Sequence, residues 1–525
     1  MIRVYFLYLS CLIALNRPSA AQPRTFLQAQ GSKLFRHQPP PLQPAPLWPG
    51  TSAWSLTRDG ALWVGTDHGL WRYSRSGWDY FASRRYLPSD KVVAIRPIPS
   101  DSHGVEVFTS EGAARLTFLS MTLNRKAHLF ETRAQDRHNR HGMVADSILT
   151  RPGDLSSNQT VSSDNDGLWT AMFGAAECFR YAVTRSDEAR QRAERSVEAL
   201  LFLEKITGIP GFPARSYLKP GEIQPEDGVW YDNPAEKLRW KADTSSDEIV
   251  GHFFLFSIAF DTLHNAELKR RIAATTARIM DHIISHGYYL IDRTGKPTTW
   301  GKWSPEYFQS KSGRSDSPLN AIELLSFLRA ARHITGDRKY DVEYEKVARH
   351  MGYARIATSY LELAEEINYS DEELAMLSFF TLFRYEHDAQ LLPLYRKALD
   401  GWWRNISRER NPLWNLIYLY SEPLAAREAL VREAAATLQL IPLDLVTWTI
   451  DNTYRRDVAW DGSADRFKSR QSTTWLPPSE RPMMKWNGNP FRVNGGDGGS
   501  SEDDGTFYLL PYWLGRYWSA WSGGE

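Results

Sequence analysis

The sequence is poor in cysteine, in net charge and in long apolar runs. It has two cysteines, Cys11 and Cys178, in 525 residues, too few for the disulfide framework of a small secreted scaffold or for a cysteine-based zinc site. Its 63 basic and 62 acidic side chains give no electrostatic reason to bind nucleic acid or an anionic membrane. No segment after residue 21 has the roughly 18 apolar residues of a transmembrane helix, so we expect no stable membrane anchor.

The common nucleotide and hydrolase motifs are also missing. The sequence contains no P-loop, no GxGxxG behind a strand, no HExxH and no GxSxG. His282 and His286 have the i, i+4 spacing of metal ligands, but no acidic third ligand is close to them in the sequence. The sequence therefore predicts neither a metal nor a cofactor.

The first 47 residues contain two segments that precede the folded part. Residues 1–21 have a basic Arg3, an apolar run over 4–15 and small residues at 19–21, which is the pattern of a signal peptide. We therefore expect a secreted or periplasmic protein that loses Cys11 on cleavage. Residues 22–47 include the run HQPPPLQPAP, which predicts an extended linker.

Residues 48–118 contain a repeat of about 40 residues. The stretch DGALWVGTDHGLWRY at 59–73 is answered by alternating apolar residues at 92–95 and 104–116. Alternation interrupted by glycine predicts antiparallel strands, and 40 residues is the period of propeller blades. Two units cannot close a propeller, so we predict a small antiparallel β appendage of two propeller-like blades, followed by a connecting segment over 119–160.

From residue 161 to 525 the apolar period changes to that of helices, which come in pairs. The first helix of each pair is apolar on all sides and is predicted to be buried, whereas the second has one apolar stripe. The predicted buried helices cover residues 168–183, 249–263, 321–334, 374–385, 413–420 and 507–517. Six buried helices that alternate with half-exposed ones predict a mainly α fold, an (α/α)6 toroid with an inner and an outer ring. An α-solenoid is the competing architecture, but the uneven helix spacing disfavours it.

Three long connections lead into the N-terminal ends of inner helices, at about 208–245, 288–319 and 439–503. Long loops in a compact domain are usually functional. We expect these loops to gather at one end of the ring, where the inner helices begin, and to wall a cleft there. This end is called the mouth below.

Acidic residues are concentrated at the predicted starts of the inner helices. Capping and the helix dipole explain one or two acids at each start, but several starts carry more. The surplus makes these residues the catalytic candidates: Asp166, Asp247, Glu248, Asp371, Glu372, Asp503 and Asp504.

Tryptophan is unusually frequent, with 20 residues, and several of these lie in the same long loops beside amides and cations. A sugar needs a flat aromatic face for its C–H groups and planar donors and acceptors for its hydroxyls. The predicted substrate-binding residues are Arg215, Trp240, Asp243, His252, Trp300, Trp303, Trp414, Asn415, Lys485, Trp486 and Asn487.

Paired carboxylates in an aromatic cleft are suited to cleaving a glycosidic bond. One carboxyl must stay protonated to assist the leaving oxygen, and Asp247 or Glu248 is predicted to do so. Asp371 or Glu372 is then the base that activates water. Because these acids lie on different helices across a wide ring, the longer spacing and an inverting mechanism are favoured.

The segment 165–518 resembles the six-hairpin, (α/α)6-toroid glycosidase superfamily. The resemblance rests on the paired helices and on acid-aromatic helix starts such as DNDGLW at 164–169 and DTSSDE at 243–248. The N-terminal stretch LWVGTDHGLWRY resembles the blades of two-component-regulator propellers. The resemblance implies a carbohydrate-active enzyme whose catalytic acids lie at the mouth and whose partner is an oligo- or polysaccharide.

Two other functions remain open. A polysaccharide lyase or sugar epimerase on the same toroid would use proton-transfer residues, for which the candidates are His252, Tyr288, Tyr289, Arg215 and Asn452. A non-catalytic glycan-binding or envelope-interaction protein would use the acids as caps and the tryptophans as core. The sequence does not predict the oligomeric state.

Overall fold

The computed structural model describes residues 24–32, 50–75, 77–363, 367–419, 424–482, 484 and 487–522. The predicted signal peptide and most of the predicted linker lie outside these residues. The described chain is mostly helical, with small antiparallel sheets near its N-terminus. None of its helices is both long enough and apolar enough to cross a membrane.

Two four-stranded antiparallel sheets follow the N-terminus. The first has the order β2-β3-β4-β5 and the second the order β1-β8-β7-β6. The strands are Arg24–Ser32 (β1), Thr51–Leu56 (β2), Leu62–Thr66 (β3), Gly69–Ser74 (β4), Gly77–Phe81 (β5), Val92–Pro97 (β6), Val105–Thr109 (β7) and Gly112–Met121 (β8). Each predicted repeat unit thus forms one sheet. Strand β1 pairs with β8 from Arg24 to Ser32, so part of the predicted linker is a strand instead.

The helical part consists of long helices in alternation. The helices predicted to be buried are Asp166–Thr184 (α2), Ser246–Thr262 (α4), Lys311–Thr335 (α6), Tyr369–Tyr385 (α8), Pro412–Tyr418 (α10) and Thr506–Tyr517 (α12). Their partners are Leu123–Arg133 (α1), Asp187–Lys205 (α3), Ala266–Ser285 (α5), Lys339–Glu345 (α7), Leu392–Ile406 (α9) and Leu424–Leu440 (α11).

The six even-numbered helices contact one another in a closed cycle. Helix α2 packs on α4, α4 on α6, α6 on α8, α8 on α10, α10 on α12, and α12 returns to α2. Their side chains form one continuous apolar core. The odd-numbered helices pack outside this cycle, each against an even-numbered neighbour. This arrangement is consistent with a helical toroid.

Helix α1 comes from the segment that was predicted only to connect the two parts. Thr122 caps it through the backbone N–H of Arg125, and it packs against α12. Trp513 donates from Nε1 to Glu131 at 2.8 Å. The sequence conceals this helix because its buried face includes Lys126 and Glu131 beside the apolar residues. The helical part therefore draws on residues well before 161.

Candidate active site

The start of α4 combines a helix cap with two adjacent acids. Ser245 is the N-cap, and Glu248 completes a capping box by accepting a hydrogen bond from the Ser245 backbone N–H at 3.3 Å. The hydroxyl of Ser245 also donates to Asp247. Asp247 is partly exposed, whereas Glu248 is fully buried. Glu248 therefore takes part in the cap, and Asp247 is left partly exposed to solvent.

Glu248 is more than a cap. Its Oε1 is buried without a hydrogen-bond partner, and its Oε2 lies 3.9 Å from Nε of Arg215. Burial raises the pKa of Glu248 to about 8, against the opposing charge of Arg215. Glu248 is therefore a protonated carboxyl at neutral pH.

Helix α8 presents Asp371 and Glu372 without a capping box. The helix begins at Tyr369 and has Asn368 as its N-cap, whose side chain makes no capping hydrogen bond. Burial raises the pKa of Asp371 to about 7, and the charges of Asp316 and Asp247 act in the same direction. The acids at this helix start are therefore not explained by capping.

Carboxyl groups from three inner helices act on one another electrostatically. The charges of Asp247 of α4 and Asp316 of α6 raise the pKa of Asp371 of α8. Glu323, two turns beyond Asp316 on α6, is fully buried. Burial raises the pKa of Glu323 well above its usual value, with further contributions from Asp247, Asp371 and Asp316. These four residues are called the carboxyl cluster below.

Glu323 and Asp316 were missed by the sequence analysis. The inner helix predicted at 321–334 begins at Lys311, ten residues earlier. The prediction missed its first turns because they contain Pro318 and a run of polar residues. Trp303 donates from Nε1 to Oε2 of Glu323 at 2.7 Å. Tyr307 donates from its hydroxyl to Oδ2 of Asp316 at 2.6 Å. An acidic residue within a helix that is otherwise apolar was the available signal for Glu323.

Glu372 forms a buried pair with Glu409, which was also missed. The charge of Glu409 acts on Glu372. Burial raises the pKa of Glu372 well above its usual value and that of Glu409 to about 7, while Arg481 acts to lower the latter. Glu409 and Arg481 also line a small cavity between the starts of α10 and α12.

Asp166 is held in a buried polar network. Its Oδ2 accepts from Nη2 of Arg140 at 2.7 Å and from the hydroxyl of Ser216, and its Oδ1 accepts from the backbone and side chain of Ser163. Burial raises the pKa of Asp166 although the charge of Arg140 opposes it. With no exposed surface, Asp166 supports the start of α2 and does not face the cleft.

The two acids before α12, Asp503 and Asp504, differ in burial and in hydrogen bonding. Asp504 is buried and accepts from the backbone N–H of Thr506 at 2.6 Å, where the helix begins. Asp503 is partly exposed, and its backbone N–H bonds to the carbonyl of Leu445. Asp504 therefore serves the start of α12.

Arg215 and Asp243 join the loops at the mouth. Arg215 donates to the backbone carbonyls of Asp164 and Asp243 and to Oδ1 of Asn165. The carboxylate of Asp243 accepts from the backbone and the hydroxyl of Thr299, each at 2.8 Å. These bonds tie the loop before α4 to the start of α2 and to the hairpin that carries Trp300.

The predicted tryptophans divide into core and surface. Trp240, Trp303 and Trp414 have at most 1% of their surface exposed, which corrects the prediction that they line a cleft, since their rings pack inside the core. Trp300 is 56% exposed and remains available to a ligand. Trp486 lies outside the described residues, as does Lys485.

The remaining predicted ligand residues are partly withdrawn from the mouth. His252 is buried, with its ring nitrogens facing the carbonyls of Glu248 and Leu200. Asn415 is buried and donates to Glu433 at 2.9 Å. Asn487 is partly exposed. Burial therefore removes His252 and Asn415 from direct contact with a substrate in this structure.

Among the described residues, no group of three His, Cys, Asp or Glu side chains is arranged to hold a metal ion. The carboxyl cluster instead offers three partly exposed acids, Asp247, Asp316 and Asp371, and one fully buried carboxyl, Glu323. One carboxyl whose pKa is near neutral beside another that reaches solvent is the arrangement that general acid–base chemistry needs.

No family model and no curated protein matches this chain. Among solved structures, it is similar to a family 76 glycoside hydrolase from a bovine Bacteroides thetaiotaomicron strain, at 8% identity and a TM-score of 0.41, over 89% of this chain and 99% of that one. It is also similar to a sugar epimerase from a ruminal bacterium, at 11% identity and a TM-score of 0.39, over 75% and 97%. A D-mannose isomerase gives 11% identity and a TM-score of 0.40, over 76% and 97%.

Proposed function

We propose that this protein is a glycoside hydrolase that cleaves an oligo- or polysaccharide at the mouth of an (α/α)6 toroid. The observation that carries the proposal is the carboxyl cluster, in which Asp247, Asp316 and Asp371 come from three different inner helices and act on one another electrostatically. Arg215 and Asp243 tie the loop before α4 to the hairpin that carries the exposed Trp300.

In this proposal Asp371 is the general acid. Its pKa of about 7, raised by burial and by Asp316 and Asp247, keeps about half of it protonated at neutral pH, so that it can protonate the glycosidic oxygen as the bond breaks. The sequence analysis predicted Asp247 or Glu248 as the general acid. Asp371 takes that part because it is both protonated and partly exposed, whereas Glu248 is fully buried.

Asp247 is the general base in the same proposal. It is partly exposed and would remove a proton from the water that attacks the anomeric carbon. Attack by that water on the face opposite the leaving oxygen inverts the configuration of that carbon. Direct attack by Asp247 would instead form a covalent glycosyl-enzyme, and its hydrolysis by water would give net retention. We propose inversion because Asp247 and Asp371 belong to different helices. Among the described residues, no hydrogen bond joins these two carboxyl groups to each other.

The lyase or epimerase alternative has less support at the mouth. Of its candidate residues, His252 and Asn452 are fully buried, and the hydroxyl of Tyr288 donates to Glu343. None of these three is free to take a proton from a sugar bound beside Asp371. Export of the protein remains part of the proposal and rests on the sequence of residues 1–21 alone.

A panel of glycans, incubated with the purified protein and with single variants, tests the proposed hydrolase activity and the roles of Asp371 and Asp247. We expect wild type to release new reducing ends, and Asp371→Asn and Asp247→Asn to lower the rate roughly 10²–10⁴-fold. Asp187→Asn, on the outer helix α3, is the matched control and should keep the wild-type rate. Proton NMR of the first product then reports inversion or retention.

Three outcomes would contradict the proposal. A product that absorbs in the ultraviolet would indicate a lyase, and a sugar isomer without cleavage would indicate an epimerase. Glycan binding without any turnover, unchanged in both variants, would indicate a binding protein whose acids serve as caps.

A further inference from the structure

A large cavity lies between the N-terminal sheets and the helical part, with a volume of about 1070 Å³. Strands β4 and β5 line one side of it. The end of α11 with the residues that follow, 439–443, and residues of the segment 477–480 line the other. No residue of the carboxyl cluster is among those that line it. This space, called the interface cavity below, is therefore separate from the proposed active site.

The two sides of the interface cavity are fixed to each other. Arg85, which follows β5, donates from Nη1 to the carbonyl of Ser479 at 2.9 Å. The hydroxyl of Tyr454 donates to the carbonyl of His68 at 2.7 Å, and the rings of these two residues stack with their centres 4.0 Å apart. Small-molecule sites are usually preformed and have volumes of roughly 300–1,000 Å³. The interface cavity reaches the upper end of this range, which suits a ligand of several linked rings.

Two neighbouring aromatic rings are close to half exposed in this cavity. Tyr73 of β4 and Trp78 of β5 both line it, and they are directly opposite in the strand register, which places them on the same face of the sheet. Their ring centres are 4.9 Å apart, and 49% of Tyr73 and 41% of Trp78 is exposed. Trp71 makes an edge contact with Trp78 at 6.2 Å. The sheet thus holds two rings side by side as an aromatic platform.

A chain of hydrogen-bonded polar side chains lines the same cavity. Arg72 donates to Oδ2 of Asp79 at 3.2 Å and to Oδ2 of Asp59 at 3.1 Å, and Nδ1 of His103 lies 2.7 Å from Oδ2 of Asp59. The side chains of Asp79 and His103 are 41% and 48% exposed. Within the described residues, the side chain of Asp79 bonds only to Arg72. Oδ1 of Asp79 and Nε2 of His103 are therefore left for a ligand.

The interface cavity passes around the edge of a sheet. Arg72 and Asp79 are the next opposed pair after Tyr73 and Trp78, so they lie on the opposite face of the same two strands. Strand β5 is the outer strand of its sheet in the described chain, and residues from both faces line the cavity. A ligand of several linked units can therefore contact the aromatic platform and the polar chain together, whereas a single small ring cannot.

The charged groups that line the interface cavity nearly balance one another. Besides His103, the lining has three acids and two arginines: Asp59, Asp79, Glu480, Arg72 and Arg75. Glu480 also pairs with Arg455 at 2.6 Å. Neither a polyanion nor a polycation meets an excess of the opposite charge here, so the cavity does not concentrate a charged ligand.

We propose that the interface cavity is a second, non-catalytic binding site for a neutral oligosaccharide. The face of an aromatic ring carries partial negative charge, so the C–H face of a sugar ring packs on Tyr73 and Trp78. Sugar hydroxyls donate to Oδ1 of Asp79 and exchange a hydrogen bond with Nε2 of His103. A fully apolar ligand would strip water from these polar atoms without replacing its hydrogen bonds. The inference goes beyond the proposed function, since it needs no reaction at the mouth.

Calorimetry and amide hydrogen exchange on the full chain test the site and its ligand class. The neutral probes are oligosaccharides of glucose, mannose, xylose and galactose, and the charged probes are oligogalacturonate and chitosan oligomers. A peptide of residues 37–46 is included because aromatic grooves also bind proline-rich chains. We expect at least one neutral oligosaccharide to slow exchange within 69–81 and 439–443, and the charged probes and the peptide to leave both segments unchanged.

Substitutions at Trp78 locate the binding. Trp78→Ala should weaken binding of that oligosaccharide at least tenfold and abolish the protection of 69–81. Trp78→Tyr keeps an aromatic ring and should bind within about threefold of wild type, so the comparison holds even where Trp78→Ala loses stability. Trp460→Ala is the matched control, because Trp460 is 39% exposed and does not line the interface cavity. It should keep the wild-type affinity.

The outcomes separate this inference from the proposed function. Cleavage of glycans without any protection of 69–81 overturns the inference and leaves the hydrolase in place. Protection of 69–81 that depends on Trp78, without cleavage of any glycan, supports the second site and overturns the hydrolase. Protection of 69–81 by a charged probe or by the peptide, with none by a neutral oligosaccharide, overturns the inference because the ligand class is then wrong.

Discussion

Glu372 and Glu409 are two buried carboxyl groups between α8 and α10, and the charge of Glu409 acts with burial to raise the pKa of Glu372. Two like charges buried together in this way are not both ionised, so one of the two groups carries a proton. Arg481 and a hydrogen bond from Trp414 favour the ionised form of Glu409. The pair is therefore asymmetric, with the proton mainly on Glu372.

The pair makes stability depend on pH. In the folded chain the pKa of Glu409 is about 7 and that of Glu372 is raised well above its usual value, whereas both carboxyls have a pKa near 4.3 when unfolded. A raised folded pKa stabilises the protein fully below the unfolded pKa, and this contribution is lost as pH rises to about 7 and beyond. Denaturant unfolding of wild type between pH 5 and pH 8 should therefore show falling stability.

Glu372→Gln tests the origin of that dependence. The amide keeps a donor toward Glu409 but cannot ionise, so the fall in stability with rising pH should be shallower than in wild type. Glu226→Gln, at an exposed position outside the pair, is the control and should keep the wild-type slope. An unchanged slope in Glu372→Gln would mean that other groups cause the pH dependence.

Asp166→Asn should act on stability. Removing one partner of a buried ion pair costs about 3–5 kcal/mol, because the charge of Arg140 is then left uncompensated. Asp187→Asn is the control, since Asp187 on the outer helix α3 is 69% exposed, and we expect it to change stability by no more than about 1 kcal/mol. Chemical unfolding measures both; equal stabilities of the two variants would contradict the structural role of Asp166.

Trp300 and Trp303 should separate ligand binding from folding. Trp300→Ala removes a ring that is 56% exposed and should weaken glycan binding with little change in unfolding temperature. Trp303→Ala empties a buried site, which costs about 3–5 kcal/mol, and it also removes the donor to Glu323. Calorimetry with glycan and thermal unfolding distinguish the two effects. A destabilised Trp300→Ala would show that its ring is part of the core.

The different fates of these two tryptophans show where prediction from the sequence ends. Helices that are apolar all round, such as α2 and α4, were located to within a few residues because burial on every side leaves an unmistakable pattern. Trp300 and Trp303 have the same polar neighbours in the motif TWGKW. Only their odd separation, which places side chains on opposite faces of an extended chain, hints that one is buried and the other exposed.

Two of the four residues of the carboxyl cluster could be predicted from the sequence. Asp247 and Asp371 stand at helix starts, where surplus acids are visible in the sequence. Asp316 lies in a polar run before Pro318, and Glu323 inside an apolar helix, so neither has a local signal of its partners. The ion pair of Arg140 with Asp166 likewise depends on how the chain returns to the start of α2, which local sequence does not encode.

The pH profile of cleavage tests the assignment of Asp371 as general acid. The acid acts when protonated, so kcat should be retained below its pKa of about 7 and should fall as pH rises through that value. Because the charge of Asp316 helps to raise this pKa, Asp316→Asn should move the falling limb to lower pH. Glu306→Gln, at an exposed acid in the neighbouring helix Pro305–Gln309, is the control and should leave the limb in place. The measurement is kcat at saturating concentrations of the best glycan of the panel, and a limb that moves to higher pH in Asp316→Asn would exclude Asp371 as the acid.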